Sequence, residues 1–218
     1  MNQVKSISTF AILVILFGCG GRKIEEPSVT FVEPQPIKTD NLSKFPNRLK
    51  GQYYCPTDNS KLLIEDNLIS KIYDYDQKVL VAQLDSSFKL SGDTIINLGT
   101  NEKTLTKRVG DTLIVHTHYI DTVFKMNYDN VVRKFKGYYF LNKRYDEGSW
   151  EVKKADLSSG KLTIGSISSS QEIETLKSIT ESSKDTIMPF KFVLSKKQFK
   201  DFIKRDGFSD SEIFVKVK

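Results

Sequence analysis

A chain of 218 residues with a formal net charge of +6, two cysteines and two histidines excludes several classes of function at the outset. Two cysteines cannot make a disulfide framework, and two histidines leave a Ser/His/Asp triad little material. From Pro46 to Lys218 the chain is long enough to bury a core without covalent staples, as one substantial domain or two small ones.

The first element is an address. Lys5 supplies a positive start, residues 7–17 form an apolar run, and Gly18 places a small residue before Cys19. As a helix that run reaches about 16 Å, roughly half of a hydrocarbon core, so it suits a signal peptide better than a permanent span. The tetrad Leu16-Phe17-Gly18-Cys19 resembles the lipobox of bacterial lipoproteins. The segment Gly20-Gly21-Arg22-Lys23-Ile24-Glu25-Glu26 is similar to the charged post-cysteine stretch of surface-exported lipoproteins of Bacteroidota. The resemblance implies that residues 1–18 are removed as a signal peptide. It also implies that Cys19 becomes the mature N-terminus, bearing a thioether diacylglycerol and usually a third acyl chain such as palmitate. The protein would then be lipid-anchored in the bacterial cell envelope, at the outer membrane. One acyl chain anchors reversibly, whereas two or three hold. An ordinary secretory signal with a coincidental cysteine is the alternative.

Residues 19–45 follow, with Pro27, Pro34 and Pro36 among scattered charges and Pro46 at their border. They are expected to form a flexible tether, which fully extended reaches at most about 80 Å. Beyond them, short aromatic and β-branched runs alternate with Gly, Asp, Asn and Ser. These predict strands at 49–55, 62–65, 68–75, 79–84, 88–90, 94–98, 104–109, 112–119, 122–126, 132–141, 150–154, 161–167, 187–194 and 213–217. The close spacing favours antiparallel meanders over parallel crossovers, so the expected class is mainly β, as meander sheets or barrel-like halves with a short C-terminal helix.

A recurrent tetrapeptide supports that pattern: Asp93-Thr94-Ile95-Ile96, Asp111-Thr112-Leu113-Ile114, Asp121-Thr122-Val123-Phe124 and Asp185-Thr186-Ile187-Met188. Asp closes a turn through its side chain and β-branched Thr opens the pleat, with Gly92 and Gly110 before the first two copies. Strand-entry punctuation explains four copies at once, which weakens any reading of these aspartates as catalytic. A second similarity pairs Arg48-Leu49-Lys50-Gly51-Gln52-Tyr53-Tyr54 with Lys134-Phe135-Lys136-Gly137-Tyr138-Tyr139-Phe140. It suggests two related β-rich halves, 46–130 and 131–218, each opened by a glycine and closed by aromatics.

Helices are few. Ser195-Lys196-Lys197-Gln198 is a capping box; Phe199, Phe202 and Ile203 then make an apolar face, and Gly207 follows the basic last turn, predicting a helix over 196–205. A second helix is expected at 171–179, with Ser169 and Glu172 as its cap.

Candidate chemistry is thin. Strand alternation turns His116 and His118 to one face, as a metal pair requires, with Asp121 the nearest possible third ligand; exposed structural histidines explain the pair equally simply and are preferred. Asp206, Asp210 and Glu212 suggest calcium but lack the order of an EF-hand loop, so a helix-to-strand turn is the expectation. Asp74 and Asp76 read as the solvent face of a strand whose Tyr73 and Tyr75 point inward. Cys55 reads as a half-buried residue at a strand end, and Trp150 as a core or rim residue. Residues 189–218 carry most of the basic excess, expected as a solvated face rather than a seat for lipid or nucleic acid.

No catalytic constellation emerges and no cofactor is implied. The reading is a membrane-anchored, non-catalytic binding or interaction module, whose closed β meanders could hold a small apolar ligand. A subunit of an envelope complex or a toxin-neutralising lipoprotein is the alternative. An envelope hydrolase is the third reading, which two carboxylates about 5 to 9 Å apart in one pocket would revive.

Overall fold

Alternation of apolar and polar side chains, with turn residues between the runs, gives a mainly β architecture. The computed structural model describes residues 26–180 and 188–217. In chain order the elements are β1 (Val29–Phe31), β2 (Gly51–Tyr54), β3 (Lys61–Ile64), β4 (Leu68–Leu80), a 3-10 turn (Val81–Gln83), β5 (Phe88–Ser91), β6 (Thr94–Asn97), β7 (Lys103–Val109) and β8 (Thr112–Lys125). They continue with β9 (Asn130–Phe135), β10 (Tyr138–Asp146), β11 (Ser149–Ser158), β12 (Lys161–Ser166), α1 (Ser170–Thr180), β13 (Phe190–Phe192), α2 (Lys196–Lys204) and β14 (Asp210–Lys216). The strand order β11-β12-β14-β2-β3-β4-β8 is antiparallel throughout, with β10 and β9 continuing beyond β11; among the described residues only β1 and β13 pair in parallel.

This sheet curls into an open barrel. Phe124 from β8 and Val132, Tyr139 and Leu141 from β9 and β10 reach the same core as Tyr53, Leu62 and Phe214 from its middle strands. Among the described residues no strand pairing joins β8 to β9 or β10, so the wall has a gap there. On the other side of β10 and β11 a second core forms. Phe140 and Val152 point outward and are covered by β1, α1 and α2 through Phe31, Leu176, Phe199 and Phe202. The side-chain period of two lets one pair of strands serve both cores.

The two expected halves therefore merge: β14 pairs with β2 (Val215 opposite Tyr54), and the barrel core draws on both. The glycine motifs do correspond in one respect. Tyr53 and Tyr139, each two residues after its glycine, are both buried, and Arg48 of the first motif lies over the Tyr139 ring of the second at 5.2 Å.

The expected tether is largely structured. Val29, Thr30, Phe31, Gln35 and Phe45 are buried. Asn142, fully buried in β10, accepts from the Gln35 backbone N–H at 2.5 Å and donates to the Gln35 carbonyl at 3.0 Å. Arg133 donates to the carbonyls of Pro34 and Pro36 and to Asn41 Oδ1. Side chains about a hundred residues away thus satisfy the backbone groups that proline leaves without partners, a long-range fix that local composition cannot announce.

Strand boundaries differ in an instructive way. The runs at 68–75 and 79–84 are one strand, β4, ending in the 3-10 turn, and those at 112–119 and 122–126 are one strand, β8. Asp93-Thr94 and Asp111-Thr112 do stand at strand entries, after Gly92 and Gly110 in left-handed turns at φ 59° and 62°. Asp121-Thr122 instead lies mid-strand, and Asp185-Thr186 is outside the described residues. The run at 132–141 splits into β9 and β10 at the Lys136-Gly137 turn. Both helices form where expected. Ser195 caps α2 through the Gln198 N–H, and Gly207 must be glycine because a Cβ there would stand 2.5 Å from the Phe202 ring.

The long β4–β8 hairpin carries a small distal module. One face holds Ile69 and Phe124 in the barrel core at one end, and Val79, Leu113 and Val115 in a third core at the other, where β5 adds Phe88 and Leu90 and β6 adds Ile95. Between the two, β3 has ended at Lys61 opposite Ile72 and β7 begins pairing only at Thr106 opposite Val115. A two-stranded neck over residues 73–76 and 116–119 remains.

Candidate functional site

At the open end of the barrel the inward-facing positions change from apolar to ionisable. Lys71 follows Ile69 along β4; Glu212 and Asp210 precede Phe214 on β14; Lys153 and Glu151 precede Ala155 on β11. Lys71 is the organising group. Its side chain is 9% exposed, and its ammonium donates to Asp58 Oδ2 at 2.8 Å and to Glu212 Oε1. It also lies 5.4 Å from the Tyr73 ring centre and 5.7 Å from that of Phe214.

Burial disfavours the Lys71 ammonium, but the hydrogen bonds to Asp58 and Glu212 outweigh it and raise the pKa above the ordinary lysine value. Burial likewise disfavours the Asp58 carboxylate; bonds from Lys71 and from the hydroxyl and N–H of Ser60 overcome it and hold Asp58 below the usual carboxylate range. A carboxylate so held stays ionised and is a poor general acid.

Cys55, fully buried at the end of β2, sends its thiol toward Glu212 at 3.9 Å. Donor atoms of Cys55, Asp58 and Glu212 lie within 4.8 Å of one another, a grouping that could hold a metal ion. Lys71 already occupies the cation's place and bonds both carboxylates, so the group is closed as an ion network.

Beside this network lies a cleft of about 240 Å³ lined by Val123, Lys153, Ile164, Ser166, Asp210, Ser211, Glu212 and Phe214. It continues into the wall gap, where Val123, Phe124 and Leu141 sit under Lys143, Glu151 and Lys153. A third recess of about 120 Å³ is bounded by Glu26, Pro27 and Ser28 together with Glu151, Lys153, Ser166, Ser168 and Asp210. Lys153 borders all three, half-exposed, with Glu151 Oε1 3.5 Å away. The floor is apolar and the rim carries both signs of charge.

The histidine pair lies on the neck. His116 and His118 do share a face, opposite Asp76 and Asp74, and His116 Nδ1 is 3.0 Å from Asp76 while Nε2 is 3.5 Å from Asp74. Its two nitrogens thus face two different carboxylates. Asp121, opposite Lys71, lies on the other face of β8, so the expected third ligand is turned away. Tyr73 and Tyr75 do not enter a core. Tyr73 stacks on Tyr119 with centroids 4.4 Å apart, and Tyr75 is exposed.

Asp206 stands in the left-handed turn after α2, while Asp210 and Glu212 lie on β14, so the calcium-like spacing disperses. Trp150 is buried at the end of β11 under Arg144. Cys19 and the expected signal segment 1–18 lie outside the described residues. Among the described residues no helix is long and apolar enough to cross a membrane.

Sequence reading had singled out Cys55 and Glu212 separately but not Lys71, Asp58 or Lys153. The available signal was a lysine at an inward strand position, Ile69-Ser70-Lys71, which requires a buried partner. Comparison with protein-family models, with curated proteins and with solved structures finds no match for this chain.

Proposed function

We propose that this protein is a lipid-anchored binding module of the bacterial cell envelope, held by Cys19 and binding a small amphiphilic ligand at the open end of its barrel without catalysing a reaction. The supporting observation is the Lys153 cleft, an apolar floor under a rim of lysines and carboxylates, next to a locked Lys71–Asp58–Glu212 network. Ligand sites combine an apolar surface with a few placed polar groups in this way. Because Tyr53, Leu62, Phe124 and Phe214 fill the interior, a ligand seats at the mouth rather than inside.

Two measurements test the reading. Labelling with an alkyne fatty acid is expected to mark the protein and to be abolished by Cys19→Ala; a variant that still labels and still fractionates with membranes refutes the anchor. Denaturing extraction and mass spectrometry of membrane-purified protein is expected to release a ligand that Lys153→Glu loses. Empty preparations of both refute the binding role.

The second reading, a subunit of an envelope complex, is favoured by one observation: the distal module exposes Leu105 (77%) and Val109 (57%), and Ile120 (60%) is exposed at the base of the neck. Crosslinking in cells that captures one stoichiometric protein through these residues would support it.

A further inference from the structure

The histidine face of the neck carries a separate function, independent of the anchor and of the cleft. His116 and His118 alternate onto one face of β8, with Asp76 and Asp74 directly opposite them on β4. His116 spans the two carboxylates: Nδ1 is 3.0 Å from Asp76 Oδ1, and Nε2 is 3.5 Å from Asp74 Oδ1. The two distances differ in kind. The first is a hydrogen bond, which in the neutral ring makes Nδ1 the donor and leaves the Nε2 lone pair free on the side of Asp74. The second is long for a hydrogen bond but suits two ligands of one tetrahedral ion, which stand about 3.3 Å apart when each bond is about 2.0 Å.

We propose that the neck binds a divalent transition-metal ion, zinc or copper(II), through His116 Nε2, His118 and Asp74, with Asp76 orienting His116 from behind. Asp74 thus supplies the third ligand that Asp121, on the other face of β8, does not. A carboxylate on the far nitrogen fixes the tautomer and ring orientation of metal-binding imidazoles. His118 faces Asp74 across the strands, where opposite Cβ atoms are about 5 Å apart. It is exposed, so its ring completes the set by side-chain rotation, without movement of the strands. On the reverse face Tyr73 stacks on Tyr119 at the pair next to Asp74 and His118, which holds the strand spacing. Three protein ligands leave the fourth tetrahedral position to water or an incoming ligand.

Charge and competition favour the same place. On this face, positions 72–78 and 114–120 hold two carboxylates and a single base, Lys78. Cys55, Asp58 and Glu212, the other grouping of ligand types, already surround the Lys71 ammonium. Imidazole nitrogens select zinc and copper over calcium and magnesium, which prefer oxygen. An ion held here ties β4 to β8 where, among the described residues, no third strand supports them.

The test titrates full-length, chelator-stripped protein in detergent with zinc chloride by calorimetry. One ion per chain is expected, bound at least about tenfold more tightly than calcium. Asp76→Asn should weaken zinc binding about tenfold, with partial recovery in Asp76→Glu, and His116→Ala, His118→Ala and Asp74→Asn should each weaken it further. All four side chains are exposed, so these variants keep the fold. Glu212→Gln should bind as the parent does. Failure to bind zinc, or undiminished binding by the His116→Ala, His118→Ala double variant, overturns the site. Loss of binding in Glu212→Gln alone moves the ion to the Lys71 network and overturns it equally. Undiminished binding by Asp76→Asn overturns the orienting role of Asp76. Hydrogen exchange gives an independent readout: zinc should slow the amides of residues 73–76 and 116–119 severalfold, and should not do so in the double variant. Unchanged exchange in zinc-loaded protein overturns the bridge between the strands.

Discussion

The barrel body and the distal module share one hairpin, yet they are secured very differently. In the body β4 and β8 lie within a core shared by nine strands and backed by a second core under two helices. In the module the same strands meet only Val79, Ile95, Leu113 and Val115, with a fringe of half-buried residues. The ion pairs repeat the contrast: Lys71 is buried between carboxylates, whereas His116 is 63% exposed between Asp74 and Asp76. Burial, rather than the number of paired charges, decides what each region can withstand. The module should therefore open locally while the body remains closed.

The sharpest way to break that contrast is to injure the body. Phe202→Ala removes a fully buried ring that packs on Phe208 and Gly207, and is expected to cost about 3–5 kcal/mol of global stability in chemical denaturation. Lys71→Ala leaves Asp58 and Glu212 without their cation, but water reaches both carboxylates, and the expected cost is about 2 kcal/mol. Leu113→Ala, fully buried in the module, should cost about 2 kcal/mol, read by hydrogen exchange as faster opening of β5–β7 amides with body amides unchanged. Uniform acceleration would show the two regions to be one cooperative unit.

Glu172→Gln is a subtler probe. Burial works against this carboxylate, but the N–H groups of Ser209, Ser169 and Ser168 and the Ser169 hydroxyl hold its pKa below the usual 4.5. Its contribution is present above that ordinary value and is lost as pH falls through the lower folded-state value. The variant should be about 1–2 kcal/mol less stable at neutral pH, with the deficit shrinking in acid. His116→Ala is expected to change stability by less than about 0.5 kcal/mol, since the pair is exposed.

What the sequence made legible was whatever is encoded locally. The capping box at Ser195, the Phe199 and Phe202 stripe and the glycine turns at Gly92 and Gly110 each name their own structure within a few residues. β4 and β8 each read as two strands because Asp76-Gln77-Lys78 and Ile120-Asp121 interrupt the alternation that marks a strand. The proline-rich segment was misread because Asn142 and Arg133, which fix it, lie far away along the chain. The ion network was invisible for the same reason: Cys55 and Asp58 share the β2–β3 turn, but Lys71 lies on β4 and Glu212 on β14, and the group is completed only when β14 pairs with β2.

The clasp between Asn142 and the backbone of Gln35 also sets an order of assembly. Its two ends are separated by 107 positions, and β2 gains its β14 neighbour only when residues 215 and 216 have been made. The earliest part of the body to emerge from a ribosome or a translocation pore thus waits for Asn142 before Gln35 is clasped, and for nearly the whole polypeptide before β2 gains its second neighbour. Such distant closures slow folding and prolong exposure of sticky strands. A chaperone that shields residues 28–66 during that wait would raise the yield of native protein more than one acting on the terminal helix.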